Sequence, residues 1–336
     1  MGDMKGDVMY KQPSYFEEEK ISLRNNKIAL FCIVIAIATI VIVVVTGVLA
    51  YRLIKNDFGT EDEQIAGSKT VGKTTSPTEE AIQEKTNVPE NTTKPQQMTQ
   101  SMDFPKHDFS VAMESQLPQY SEEIAKKVVN VYFEEAKKVY LTFDDGPSRV
   151  TDDILDILDK YNVKATFFVL GSNVDAKPEL VKRAYDSGHF IASHGYTHKY
   201  SQIYESQENV LAEYNQSVEA IRRAIGVPTY NPHLFRYPGG SSGGTYNSVK
   251  QQSINLLKQN NVTYTNWNCL TGDSAGSTTI DDMWRELNAS AEGDDNLVIL
   301  MHDAGDKDVT VEFLPQLIEK YLAAGYEFCN YYDIMM

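Results

Sequence analysis

Positive charge is in short supply in this chain: 31 lysines and arginines stand against 47 aspartates and glutamates, a net of −16. An excess of that sign repels a phosphate backbone and excludes nucleic acid as a partner. Cysteine is scarcer still, with three in 336 residues. Cys32 lies inside a long apolar run. Cys269 and Cys329 could pair, but each sits in an apolar, strand-like stretch that suits a small buried residue. No internal repeat is visible, so nothing points to a solenoid or a bladed fold.

Two further absences divide the chain. Residues 28–50, IALFCIVIAIATIVIVVVTGVLA, contain neither a charge nor a proline. At about 1.5 Å per helical residue, such a run is long enough to cross a bilayer. Its aliphatic and β-branched residues show no amphipathic face, which argues against a buried core helix. Lys11, Lys20, Arg24 and Lys27 precede it, and only Arg52 and Lys55 follow before the chain turns acidic. Residues 1–27 are therefore expected inside the cell, with the rest outside. A cleaved signal peptide ending at Val48–Ala50 is the alternative, although a signal's apolar core is shorter, about 7–15 residues. Residues 51–118 have hardly any aromatic residue or apolar period and are rich in Thr, Pro, Gln, Glu, Lys and Asn. A segment of that kind cannot bury a core. It is expected to be a disordered extracellular stalk with a reach on the order of 45 Å.

Residues 119–336 have what the stalk lacks. Strand-like runs near 139–143, 164–170, 189–192, 233–236, 262–267, 297–301 and 326–329 alternate with helical patterns near 151–160, 178–187, 206–225, 246–260, 279–291 and 310–324. Pro178 suits a first helical position, and Gly188, Gly226 and Gly325 suit helix ends. The alternation predicts an α/β fold whose strands are mostly parallel, a distorted (β/α) barrel of about seven strands. In such folds chemistry collects where strands end. Five polar clusters fall there: LTFDDGPS at 141–148, SHGYTHKY at 193–200, FRYPGGSS at 235–242, WNCLTGDS at 267–274 and ILMHDAG at 299–305. His194 and His198, four apart, can share a metal if that segment turns helically, because positions i and i+4 then share a face, and a carboxylate from another strand end would complete a two-histidine, one-carboxylate set with a position left open for water. His189 reads as a packing or supporting residue, and His233 takes no role.

These five clusters, in this order, resemble the polysaccharide deacetylases of carbohydrate esterase family 4, the NodB-type domain, over about residues 135–336. The resemblance implies that Asp144 is the general base and that Asp145, His194 and His198 hold a divalent metal, Zn²⁺ first, with Co²⁺, Ni²⁺ or Mn²⁺ as alternatives. That metal would activate water and polarise an acetamido carbonyl. Arg236 would pair with Asp144 and keep it ionised. The Gly239 N–H is the expected second oxyanion donor, with Tyr237 beside it and Leu300 lining a pocket for the acetyl methyl. His302 would protonate the departing sugar amine, oriented by Asp273.

Two positions depart from the family pattern. Gly195 stands where Ser or Thr is usual, and Ser274 where an aromatic usually follows Asp273, which is expected to leave the Asp273–His302 pair more open to water. The implied activity is removal of N-acetyl groups from N-acetylglucosamine in a polymer. An anchor and a stalk point to the cell's own wall, so peptidoglycan is the first expected partner and a chitin-like or other surface glycan the second. A catalytically impaired module that binds wall glycans is the competing expectation.

Overall fold

The computed structural model describes residues 117–134, 136–274 and 277–336. The expected cytoplasmic segment, the membrane span at 28–50 and the stalk up to residue 116 lie outside the described residues. Among the described residues no helix is long and apolar enough to cross a membrane. Leu117 and Pro118, read from the sequence as the end of the stalk, already belong to the packed domain: Pro118 is buried and Leu117 lies against the main core.

The chain opens with α1 (Glu122–Asn130) and then follows β1 (Lys138–Asp144), α2 (Thr151–Tyr161), β2 (Thr166–Val169), α3 (Gly171–Ala176) and α4 (Pro178–Asp186). It continues through β3 (Phe190–Ser193), α5 (Tyr200–Ile203), α6 (Gln207–Ile225), β4 (Leu234–Phe235), α7 (Asn247–Gln259) and β5 (Thr263–Tyr264). The last third runs β6 (Cys269–Leu270), α8 (Ile280–Ser290), β7 (Leu297–His302), α9 (Asp308–Ala323), β8 (Glu327–Cys329) and α10 (Tyr332–Met335). The helix ends carry the expected signals. Ser206 accepts from Asn209 N–H at 3.2 Å to open α6, Pro178 starts α4, and Gly188, Gly226 and Gly325 all take positive φ just past helix ends.

Every ladder among the described residues is parallel, in the order β5-β4-β3-β2-β1-β7-β6. One edge of β1 serves two strands. Residues 142–144 pair with β2, while Lys138–Tyr140 pair with β8. No described ladder joins β5 to β6, so the sheet curls without closing. The seven expected strands are present, and Cys269–Leu270 adds an eighth where the sequence pattern showed only a polar cluster.

Strand alternation sorts the sheet's two faces. Val139, Leu141, Phe143, Phe167, Ile191, Ile299 and Met301 point outward into a core shared with Ile154, Leu155, Leu158, Phe313 and Leu317 of the surrounding helices. Phe168, Phe190, Ala192 and Leu234 point inward and pack on Val128, Tyr331 and Met335. Residues from the two ends of the domain thus plug the lower half of the curl. Its upper half is left for the polar strand ends.

Candidate active site

The inner face of β1 reads Tyr140, Thr142, Asp144, and that of β7 reads Val298, Leu300, His302. The register pairs them one to one. Asp144 and His302 are therefore lateral neighbours, with backbones about 4.8 Å apart across the ladder. Asp144 is 2 % exposed. Its Oδ1 accepts from Arg236 Nη1 at 3.0 Å, and its Oδ2 faces His194 Nε2 at 3.7 Å. Burial raises the Asp144 pKa, opposed by the charges of Arg236 and His302.

Arg236, at the end of β4, is wholly buried. It also donates to Thr142 Oγ1 at 2.7 Å and to the Asn266 carbonyl at 2.8 Å, and its guanidinium lies 3.9 Å from the centre of the Phe168 ring. These contacts hold the fork rigidly, so the geometry of its pair with Asp144 is set from behind.

Asp145 turns the other way. Its φ of +75° lies in the left-handed region, which Asp tolerates better than most residues. Asn173 Nδ2 holds its carbonyl at 2.7 Å. The carboxylate Oδ1 lies 3.6 Å from His194 Nε2 and 3.4 Å from His198 Nε2, is buried, and has no hydrogen-bond partner. His194 Nδ1 donates to the Arg236 carbonyl at 2.8 Å, which leaves Nε2 as a free lone pair; burial keeps that ring neutral, with its pKa pushed down to about 3. A buried carboxylate oxygen without a donor, facing two imidazole nitrogens, is an unsatisfied arrangement that a cation resolves. The three candidate ligand atoms lie within 4.8 Å of one another. Asp145, His194 and His198 thus fit a divalent metal, and they are the residues the sequence singled out, although the segment joining the two histidines is a non-helical loop with positive φ at Gly195 and His198 and not the expected helical turn.

His302 Nδ1 donates to Asp273 Oδ1 at 2.8 Å, while Asp273 Oδ2 accepts from the His302 amide at 2.8 Å and from Thr310 Oγ1 at 3.0 Å. Burial works against a charge on this ring, but the bond and charge of Asp273, helped by Asp144 and Asp145, raise its pKa above the ordinary value. The expectation that this pair lies open to water is corrected. Asp273's side chain is 1 % exposed and that of His302 12 %, and both Asp273 oxygens are taken up by the hydrogen bonds just described.

Tyr237, Pro238, Gly239 and Gly240 form a turn closed by Gly240 N–H donating to the Tyr237 carbonyl at 2.8 Å. Pro at the second position and a φ of +72° at Gly239 make it type II. Gly239 is exposed, and among the described residues no hydrogen bond engages its N–H. Tyr237, expected beside the substrate, is not there: its ring is wholly buried against Phe235 and Tyr264, and its hydroxyl meets Ser253 Oγ at 2.9 Å. Arg236 points inward, so by alternation its neighbour points out to the helices. Leu300 lies on the inner face directly below His302, 7 % exposed. His189 is a packing residue, as read: it is buried, T-shaped against Phe167, and accepts from Ala165 N–H at 3.0 Å.

Comparison with known proteins bears on this constellation. The polysaccharide deacetylase profile matches residues 133–265. The putative polysaccharide deacetylase YheN of Bacillus subtilis is 35 % identical over 205 residues, covering 60 % of this chain and 69 % of YheN. The chain belongs to the polysaccharide deacetylase family. A peptidoglycan-N-acetylglucosamine deacetylase of Bacillus cereus is 31 % identical over 204 residues, covering 59 % of this chain and 71 % of that one. Among solved structures, the catalytic domain of a peptidoglycan N-acetylglucosamine deacetylase from Eubacterium rectale superposes with a TM-score of 0.53 at 32 % identity, covering 58 % of this chain and 88 % of that one.

As a polysaccharide deacetylase the chain departs from its family at Gly195, and the structure supplies a reason. Gly195 has φ +89°, and a Cβ there would stand 3.3 Å from Glu213 Oε2. Glu213, projecting from α6, accepts from the amides of Tyr196 at 2.5 Å and Thr197 at 2.8 Å, and from the Thr197 hydroxyl at 2.7 Å. It gathers the loop that carries both histidines. Sequence reading missed Glu213, although a carboxylate on the apolar stripe of Val210, Tyr214, Ser217 and Ile221 marks a buried partner. It also missed Asp303, which is buried and accepts from Ser148 Oγ at 2.7 Å and Thr151 Oγ1 at 2.6 Å, stapling the Asp144–Ser148 loop to β7. Thr142, two residues before Asp144 and so on its face, could have been found from strand alternation.

Proposed function

We propose that this chain is a divalent-metal-dependent hydrolase that removes acetyl groups from N-acetylglucosamine in a cell-wall polysaccharide, peptidoglycan first and a chitin-like glycan second. The observation that carries the reading is the lateral pairing of Asp144 and His302, each backed by its own partner, beside a three-ligand cluster of Asp145, His194 and His198. A base and an acid on neighbouring strands can serve the two ends of one amide.

A metal at that cluster, Zn²⁺ by the donor set of two imidazoles and a carboxylate, supplies Lewis-acid polarisation of the carbonyl and an acidified water. Asp144 takes a proton from the attacking water, and Arg236 keeps the carboxylate oriented through Oδ1 while Oδ2 faces the cluster. The Gly239 N–H donates to the carbonyl oxygen as it gains charge. His302 gives its Nε2 proton to the amine as the C–N bond breaks, leaving acetate and a free amino sugar. Asp273 accepts the Nδ1 proton and stabilises the doubly protonated ring, whose second proton, on Nε2, is the one transferred. Released amines would add positive charge to the glycan.

Metal-loaded protein incubated with N-acetylglucosamine oligomers and with purified cell wall should release acetate, and Asp144→Asn should abolish it with metal content unchanged. No acetate from either substrate refutes the reading. The sequence further supports anchorage through residues 28–50 with 119–336 outside the cell. Protease added to intact, wall-stripped cells should release a fragment of the outer domain; a domain that stays fully protected overturns that topology.

A further inference from the structure

The Gly239 N–H belongs to the central peptide of a type II turn, and that peptide is the one a type I turn would carry in the opposite orientation. The turn's own residues, Pro238 followed by Gly239, favour type II without enforcing it, because Pro238 is compatible with both types and Gly239 can adopt either sign of φ. A contact from outside the turn can therefore fix the orientation.

Tyr204 is in position to do so. Its ring is 2 % exposed, packed in the cluster of Ile203, Val210, Tyr214, Val218 and Phe235 behind the turn, and its hydroxyl donates to the Pro238 carbonyl at 2.7 Å. In a trans peptide the N–H points opposite to the C=O. Holding the Pro238 oxygen in the buried cluster therefore aims the Gly239 N–H away from it, to the exposed side. Lys250 Nζ adds a longer contact, 3.4 Å to the Gly239 carbonyl, and secures the following peptide.

We propose that Tyr204 is the positioning residue of the oxyanion hole: its hydroxyl latches the Pro238–Gly239 peptide so that the Gly239 N–H faces the substrate carbonyl. Without the latch the peptide rotates between the two turn types and presents a donor for only part of the time. A hydrogen bond accepted at the carbonyl also polarises the N–H of the same peptide, which strengthens it as a donor.

This inference rests on the deacetylase reading for its kinetic consequence but not for its structural one, and the test separates the two. The substitution is Tyr204→Phe in the full chain, with Tyr214→Phe as the control. Tyr214 is as deeply buried in the same cluster, and its hydroxyl is spent on Asn231 Oδ1, away from the turn. Tyr204→Phe should lower kcat by roughly 10- to 100-fold, short of the 10²–10³ lost when an oxyanion donor is removed, with KM within about twofold and metal content unchanged. Tyr214→Phe should leave kcat as it is.

In full chain labelled with ¹⁵N-glycine, the Gly239 amide peak should double or broaden in Tyr204→Phe and stay single in Tyr214→Phe. Wild-type kcat in Tyr204→Phe, an equal kcat loss in the control, a loss confined to KM, or metal lost along with activity each overturns the proposal. Should the wild-type protein deacetylate no sugar, the proposed function falls, and the glycine spectrum still decides the latch: an unchanged Gly239 peak in Tyr204→Phe refutes it.

Discussion

Asp144 and Asp145 are consecutive, yet their carboxylates leave the backbone into different environments. Asp144 continues the alternation of β1 onto the inner face, where Arg236 meets it. Asp145, with φ +75°, swings out to the histidines. The backbone reversal lets two adjacent acids take separate tasks instead of repelling each other. The opposite end of the proposed reaction is assigned to Asp273 and His302. His302→Ala should keep bound metal and lower kcat by roughly 10²–10⁴-fold, the usual cost of a lost general acid. Asp273→Asn retains a hydrogen-bond acceptor but removes the charge that raises the His302 pKa. The acid must be protonated to act, so the rate falls as pH climbs through that pKa, and in Asp273→Asn the alkaline limb of the pH–rate profile should move to lower pH. The same raised pKa stabilises the fold fully below the ordinary value of 6.5 and ceases to do so as pH rises through the folded value. An unmoved limb would show that Asp273 does not set this pKa.

Helix α6 reaches the site without carrying a single ligand. Its capped start and its Gly226 end place Glu213 under the loop at 195–198, where one carboxylate collects two amides and a hydroxyl. His198, at φ +58°, sits in a backbone region that needs such outside support. Glu213→Ala should therefore weaken metal affinity by about 10–100-fold, the usual range for partners that orient ligands, while the far-ultraviolet dichroism stays that of the parent. Metal titration of the two proteins checks it. Loop β1–α2 is fixed from the other side: a Cβ on Gly146 would meet Asp303 Oδ2 at 2.3 Å, so only glycine lets that buried carboxylate close over the loop.

Among the described residues, the domain leaves its sheet open between β5 and β6 and fills the interior with residues from both ends of the domain. Tyr331 is central to that plug. Its ring contacts Tyr140, Phe168 and Phe190, and its hydroxyl meets Thr265 Oγ1 at 2.6 Å. Tyr331→Ala should cost about 3–5 kcal/mol, as expected for a large aromatic removed from a core, and lower the midpoint of thermal unfolding by on the order of 10 °C. A melt within a degree or two of the parent would show that the plug contributes little.

Much of this was legible in the sequence because the signals are local. Periodicity located the seven expected strands and the six long helices that follow the first of them, and the chemistry-bearing residues stand in short clusters at strand ends, where a parallel α/β fold collects them. Spacing alone brought His194 and His198 to one loop, and adjacency brought Asp145 within reach of Asp144. What only the tertiary structure decided depends on register and on the direction of single peptides. The β1–β7 ladder makes Asp144 and His302 neighbours although they stand far apart in the sequence. Alternation across β4 turns Tyr237 into the core while Arg236 enters the site. Thr310 hydrogen-bonds the buried Asp273 from another element, and the Tyr204 hydroxyl holds the Pro238 carbonyl of a turn whose sequence favours one orientation without enforcing it. Each of these is a contact between groups far apart in the chain, and no local pattern encodes which distant partner will be there to make it.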